Sequence, residues 1–301
     1  MTPIISLHAD LPAFSRLVYG AWRLNDGADN TPQHALRKIE ACLAQGISTF
    51  DHADIYGNYS CEALFGQALA LRPGLRQQIQ LVSKCDIMLT TDKFPDRRVK
   101  YYDTSASHIR ASVDNSLRRL GVERLDLLLI HRPDPFMDAA ATGACLDALV
   151  KAGKIGAAGV SNFRPWDFAL LQSAMRTPLV TNQVEISLLE RSSFLDGTLA
   201  HCQQHKILPM AWSPLAGGRL FGLEKAAQSL QPLLARVAAE QGVQPDAVAI
   251  AWLLAHPANI LPVVGTNNPQ RLAALSDAFK VNMDRETWFE LWTAAAGQEV
   301  P

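Results

Sequence analysis

A (β/α)8 barrel, a TIM barrel, is the fold class this sequence predicts, on three observations. Eight short β-rich runs alternate with amphipathic stretches along the chain, over roughly the 250 residues such a barrel needs. No G-x-G-x-x-G follows the first run, which disfavours an open dinucleotide-binding sheet. Leu125–Ile130 is almost unbroken apolar sequence, as a strand buried on both faces should be.

In order, the strands are read at Arg16–Gly20, Thr49–Asp51, Ile79–Lys84, Leu125–His131, Ile155–Ser161, Val180–Glu185, Leu208–Trp212 and Ile260–Val264. Helical periodicity covers Thr31–Gln45, Ser105–Leu120, Asp138–Ala152, Arg164–Ala174, Phe194–His205 and Pro269–Phe279. Thr31-Pro32 puts proline at a first helical position, and Gly46, Gly121 and Gly153 sit where helices should stop. Two stretches break the tight alternation, Cys85–Thr104 after the third strand and Ser213–Ala226 after the seventh. Long loops after barrel strands belong to the catalytic face. Arg285–Ala296, with Trp288, Phe289, Leu291 and Trp292, reads as an extra C-terminal helix. With no internal linker, residues 1–301 are expected to form one domain.

Composition narrows the function. An apolar fraction of 48% supports a large core, and a net charge of −1 argues against a nucleic-acid or membrane partner. The basic segment Lys93–Lys100 also holds Asp96 and reads as a solvated loop. No leader pattern and no run of about 18 apolar residues is present, so a cytoplasmic location and a monomer are expected. Five scattered cysteines without a C-x-x-C pair speak against disulfides and zinc. Cys85, next to Lys84, is read as packing.

The chemistry is carried by residues at strand ends. Asp51 and Tyr56 stand in Asp-His-Ala-Asp-Ile-Tyr-Gly, Lys84 in Leu-Val-Ser-Lys, and His131 in Leu-Leu-Ile-His-Arg-Pro-Asp. A phenol with a pKa of about 10 is a poor acid near neutrality, and a neighbouring ammonium stabilises its phenolate. Tyr56 can thus donate a proton with Lys84 beside it, Asp51 can hold the lysine, and His131 can orient a carbonyl oxygen. Each residue alone also has a structural reading: turn cap, loop anchor, strand-end cation, partner of a buried carbonyl.

Together these segments resemble the aldo-keto reductase superfamily, from about Arg16 to Leu275. The likeness continues through Gly159-Val-Ser-Asn162, Asn182-Gln183-Val-Glu, Ser213-Pro-Leu-Ala-Gly-Gly and Gly265-Thr266 to Arg271. It implies reduction of aldehydes or ketones to alcohols with NADPH, Tyr56 donating the proton and Lys84 and Asp51 lowering its pKa. It further implies that Ser161, Asn162 and Gln183 bind the nicotinamide carboxamide, and that Ser213, Leu215 and Gly217 cradle the pyrophosphate, with Gly20 lining the cofactor site.

Two departures follow. Trp212 stands where the family usually has a tyrosine stacked on the nicotinamide, and indole offers at least as large a face. Gly265 replaces a lysine that pairs with the 2′-phosphate, leaving Thr266, Asn267 and Arg271 for that anion. Trp22 and the aromatics Phe94, Tyr101 and Tyr102 are candidate pocket residues, and an apolar pocket would favour aromatic or medium-chain carbonyls. Two other classes compete: a metal-dependent barrel hydrolase using His52, Asp54 and His131, and a cofactor-binding regulatory subunit with little turnover. The His201/His205 pair reads as the polar face of an outer helix.

Overall fold

The computed structural model describes residues 1–27 and 29–301. Eight parallel strands close into a barrel: β1 (Val18–Gly20), β2 (Thr49–Asp51), β3 (Gln80–Cys85), β4 (Leu125–Ile130), β5 (Ile155–Ser161), β6 (Leu179–Glu185), β7 (Met210–Trp212) and β8 (Leu261–Val264). β8 returns to β1 with Val263 opposite Val18, which removes both sheet edges.

Alternation along the strands builds two apolar layers. Val82, Leu127, Leu129, Val180, Met210 and Val263 fill the interior, while Phe50, Leu81, Leu128 and Ile130 face the surrounding helices. The barrel floor is closed by a hairpin that the sequence reading did not anticipate, Ile4–Ile5 against Phe14–Ser15. Leu7, Leu11 and Phe14 complete the interior cluster. This hairpin also shortens β1, because Arg16 donates its N–H to Pro3 at 2.8 Å rather than to the barrel. β7 likewise starts at Met210: Pro209 has no N–H, and the Leu208 carbonyl accepts from Thr181 Oγ1 at 2.6 Å.

Helices α1 (Pro32–Leu43), α2 (Cys61–Ala70), α3 (Ala106–Leu120), α4 (Ala139–Lys151), α5 (Pro165–Ser173) and α6 (Thr198–Gln204) follow the first six strands. α7 (Lys225–Gln241) and α8 (Pro245–Leu254) precede β8, α9 (Pro269–Ala273) follows it, and α10 (Arg285–Ala296) ends the chain. The expected helix over Phe194–His205 is cut by Gly197 at φ 89°, and that over Pro269–Phe279 passes into 3-10 turns at Leu275.

α2, α7 and α8 escaped sequence reading for physical reasons. In α2 and α8 nearly every side chain is buried, so no polar stripe marks a period. Even the backbone of α2 is close-packed: a Cβ on Gly66 would lie 2.2 Å from Arg119 O. α7 carries Pro232 in its interior. The tail helix is held by paired indoles, Trp252 Nε1 donating to Trp288 O at 3.1 Å and Trp288 Nε1 to Trp252 O at 3.0 Å.

Both irregular stretches lie after strand C-terminal ends. The one after β3 forms a hairpin, Ile87–Met88 with Tyr101–Tyr102. The one after β7 turns through left-handed backbone at Ser213, Ala216, Gly217 and Gly218. All five cysteines are free and buried, and burial pushes the Cys85 thiol well up. Cys85 is therefore a packing residue.

Candidate active site

Register brings Gly20 beside Asp51, and Lys84 lies one strand further on, opposite Leu129. Lys84 Nζ is 2.7 Å from both Asp51 oxygens, 2.9 Å from the His52 carbonyl and 3.0 Å from Tyr56 OH. Tyr56 reaches this point from a single turn after β2 whose next two residues, Gly57 and Asn58, have positive φ. Its ring stands edge-on to His131 with centroids 6.1 Å apart.

Electrostatics assigns distinct parts to these groups. Burial lifts the Tyr56 phenol above its ordinary range; Lys84 pulls it down, while the Asp51 charge pushes it further up. The ammonium thus lowers the Tyr56 pKa directly, and the carboxylate acts through it by keeping it charged. Burial works against the Lys84 charge, but Asp51 and Tyr56 outweigh it and its pKa is raised. His131 falls well below its usual value through burial and the nearby Lys84, Arg132 and Lys100, so it is a neutral imidazole.

One cleft of about 1060 Å3 at the strand C-terminal ends is lined by Trp22 and by every catalytic and cofactor-site residue named from the sequence except Lys84, which is buried behind Asp51 and Tyr56. Ser161 Oγ donates to Gln183 O at 2.8 Å, and Gln183 Nε2 donates to Asp51 Oδ1 at 2.9 Å. Asn162, at φ 62°, sits between Trp212 and His131. The left-handed turn bearing Ser213, Leu215 and Gly217 forms one wall, and Gly265, Thr266 and Arg271 the opposite end. A Cβ at Gly265 would meet Gly20 O at 3.0 Å, so β8 leaves this end of the cleft tightly against β1.

Asn267 lines the cleft with its side chain already partnered. Its amide is fully engaged, Oδ1 accepting from Lys38 Nζ and Nδ2 donating to the carbonyls of Arg23 and Asp26, each at 2.8 Å. It ties the β1 loop to the β8 loop at the end of the cleft. Lys38 was missed, although it falls among the buried α1 positions Ala35, Ile39 and Cys42, an unusual place for a lysine. Arg23, Arg132, Lys100, Glu185 and Arg219 also line the cleft. Strand-end periodicity gives no signal for the four cations, which lie in loops, although Glu185 ends β6.

Trp22 stands at the mouth, 56% exposed. Phe94, Tyr101 and Tyr102 do not line the cleft; Phe94 instead packs on Tyr59 and Arg97 beside a separate small cavity. The residues imagined as metal ligands do not converge: His52 abuts the edge of Phe65, and Asp54 accepts from Ser112 Oγ at 2.9 Å.

Asp54 has a consequence for stability. Burial raises its pKa to about 7, Ser112 opposing and Glu62 adding to the rise. An unfolded aspartate ionises near pH 4, so between about pH 4 and 7 the folded chain holds the extra proton and stability falls as pH rises. Asp54→Asn keeps a partner for Ser112 without the charge. It is expected to flatten this dependence and raise stability above pH 7, on the order of a few kcal/mol at most. Melting temperatures from pH 4.5 to 8 check this; a parallel decline in both proteins would refute it.

Comparison with known proteins agrees with this architecture. The chain is 56% identical to a 6-dehydroglucose reductase of Agrobacterium fabrum, covering 97% of this chain and 98% of that protein. It is 38% identical to a second 6-dehydroglucose reductase, from Novosphingobium aromaticivorans, covering 96% and 94%. An aldo/keto reductase from Klebsiella pneumoniae, solved with NADP and acetate, is 27% identical with a TM-score of 0.76, covering 93% and 90% of the two chains. With residues 16–294 also matching the family model for the aldo/keto reductase family, the chain belongs to that family of oxidoreductases.

Proposed function

We propose that this protein reduces aldehydes or ketones to alcohols with NADPH, Tyr56 donating the proton. The observation that carries this reading is the single ammonium of Lys84 bridging Asp51 and Tyr56 at 2.7 and 3.0 Å in a buried setting. Such an arrangement favours phenolate at the moment a proton leaves the ring oxygen. His131, neutral at the cleft wall, can donate to the same carbonyl oxygen and fix it near Tyr56 OH. The nicotinamide, when bound, supplies the hydride.

The cleft suits such a cofactor by its donor set. Gln183 and Asn162 offer amide groups beside Asp51 and His131, and the arginines Arg23, Arg219 and Arg271 line the outer cleft where a pyrophosphate and a 2′-phosphate need cations. With Gly265 carrying no charge and the Asn267 amide engaged, Arg271 is the charged group left for the 2′-phosphate, with Thr266 near it; its side chain is exposed. Arg271→Ala is expected to weaken NADPH about 10- to 100-fold, as losing a charge-assisted bond does, and to leave NADH nearly unchanged. Calorimetric titration of both cofactors decides it, and equal losses would assign Arg271 to the adenine end or to the fold.

For the substrate, two relatives named as 6-dehydroglucose reductases favour a sugar-derived aldehyde. The mouth is not purely apolar: Lys100, Arg132 and Glu185 stand with Trp22 and Trp212. Indole faces beside charged hydrogen-bonding groups suit a polyhydroxylated chain better than a medium-chain alkanal. Steady-state NADPH consumption with 6-dehydroglucose, simple aldehydes and ketones tests this. Saturable turnover, best with the sugar aldehyde, is expected; tight NADPH binding without turnover would instead support a regulatory subunit.

A further inference from the structure

A working histidine is ordinarily oriented through the ring nitrogen turned away from the reaction, which hydrogen-bonds a carboxylate or a backbone carbonyl. His131 lacks such a partner: its Nδ1 is buried, and no group among the described residues hydrogen-bonds it. The direction of its ring therefore comes from its backbone and from packing against Tyr56.

That backbone is gripped at three points. His131 N–H donates to Cys85 O, at the end of β3, at 3.0 Å. The following peptide is held from both sides: His131 O accepts from Asn162 Nδ2 at 3.1 Å, and the Arg132 N–H donates to Asp86 Oδ2 at 3.0 Å. Of the two side chains in this grip, Asn162 lines the cleft, whereas Asp86 lies behind its wall, fully buried.

Asp86 is an unusual residue for its place. Its φ is 109°, in the region that favours glycine. A glycine could make the same turn into the hairpin of Ile87–Met88 with Tyr101–Tyr102, beside which Asp86 O accepts from Asp103 N at 2.8 Å. An aspartate adds backbone strain and a buried carboxyl; burial pushes its pKa well up, against the Arg132 N–H, with Asp54 and Asp134 adding to the rise. What the chain gains from these costs is the bond to the residue after His131.

We propose that Asp86 is a positioning residue for carbonyl reduction, its carboxyl clamping the peptide after His131 so that the imidazole is aimed at the substrate oxygen. The inference rests on the reduction reading above. Two consequences set it apart from a merely structural part. Asp86→Gly removes the clamp and relieves the strain together, so rate falls while stability does not. Because the effect passes through the imidazole, it disappears once the imidazole is gone.

The test compares Asp86→Gly, Asp86→Asn, His131→Ala and the double variant His131→Ala/Asp86→Gly by melting temperature, NADPH titration and steady-state kinetics with a simple aldehyde. Asp86→Gly should lower kcat about tenfold or more, as misplacing a catalytic group does, with KM changed less than about threefold, NADPH binding within about twofold and a melting temperature no lower than that of the unmodified protein. Asp86→Asn keeps an oxygen for the Arg132 N–H and should stay within about threefold of the unmodified rate. The double variant should be no more than about twofold slower than His131→Ala. The inference is overturned if Asp86→Gly keeps its kcat, if its rate and melting temperature fall together, or if the tenfold loss persists in the His131→Ala background. An unmodified protein that binds NADPH yet reduces no carbonyl would overturn the reduction reading, and this inference with it.

Discussion

Tyr56→Phe is expected to lower carbonyl reduction at least about 100-fold while NADPH binding stays within about twofold, because the substitution removes one oxygen and nothing that binds the cofactor. The size of the loss is that of a positioned general acid. The fold should be untouched: the ring remains against His131, and Lys84 Nζ keeps three of its four partners, both Asp51 oxygens and the His52 carbonyl. Steady-state kinetics with a reactive simple aldehyde, paired with a cofactor titration, reads the two effects separately. Near-normal turnover would show that the proton comes from elsewhere.

Lys84→Met should be comparably slow, for a different reason. Burial already holds the Tyr56 phenol above its ordinary pKa, and Lys84 is the group that opposes this. Without it the phenol becomes a still weaker acid, and any remaining pH dependence moves to higher pH. The variant also leaves the Asp51 carboxylate, 2% exposed, with Gln183 Nε2 as its remaining side-chain partner. An unpaired buried charge costs about 3–5 kcal/mol, so lost stability and lost chemistry are confounded in the single variant. Adding Asp51→Asn removes the orphaned charge. The double variant Lys84→Met/Asp51→Asn is therefore expected to regain most of the melting temperature and none of the rate, whereas Asp51→Asn alone, which keeps the lysine beside Tyr56 but removes the main group holding it charged, should be slowed yet remain the fastest of the three. Activity returning together with stability would mean that Lys84 only holds the fold.

The strands were legible because their signals are local. Leu125–Ile130 has no polar interruption except Asp126, and several strand ends carry a polar residue where apolar sequence stops, as at Asp51, Lys84 and His131. That convergence on one face is what a barrel imposes, so residues 80 positions apart meet once the fold is known. Helices without a solvated face were not legible, since α2 and α8 bury almost everything they carry. The floor hairpin, with two residues in each strand, is too short to show a period. Within the cleft, residue identities could be read but hydrogen-bond allegiances could not. Asn267 looks like a phosphate ligand in sequence, yet a lysine from α1 and two loop carbonyls take its amide. Likewise the indole at position 212 suggested a ring face, whereas its N–H is the part engaged with Asn162.

The central claim, that hydride reaches a carbonyl carbon in this cleft while Tyr56 protonates the oxygen, is tested most directly by following a label. NADPH deuterated at the transferable C4 position is incubated with the unmodified protein and a sugar-derived aldehyde in ordinary water, and the alcohol is analysed by mass spectrometry and NMR. The account predicts one deuterium, on the former carbonyl carbon and in a single configuration, with label transfer at least about 100-fold slower in the Tyr56→Phe protein. Alcohol formed without deuterium at that carbon, or label transferred at equal rate by both proteins, would contradict it.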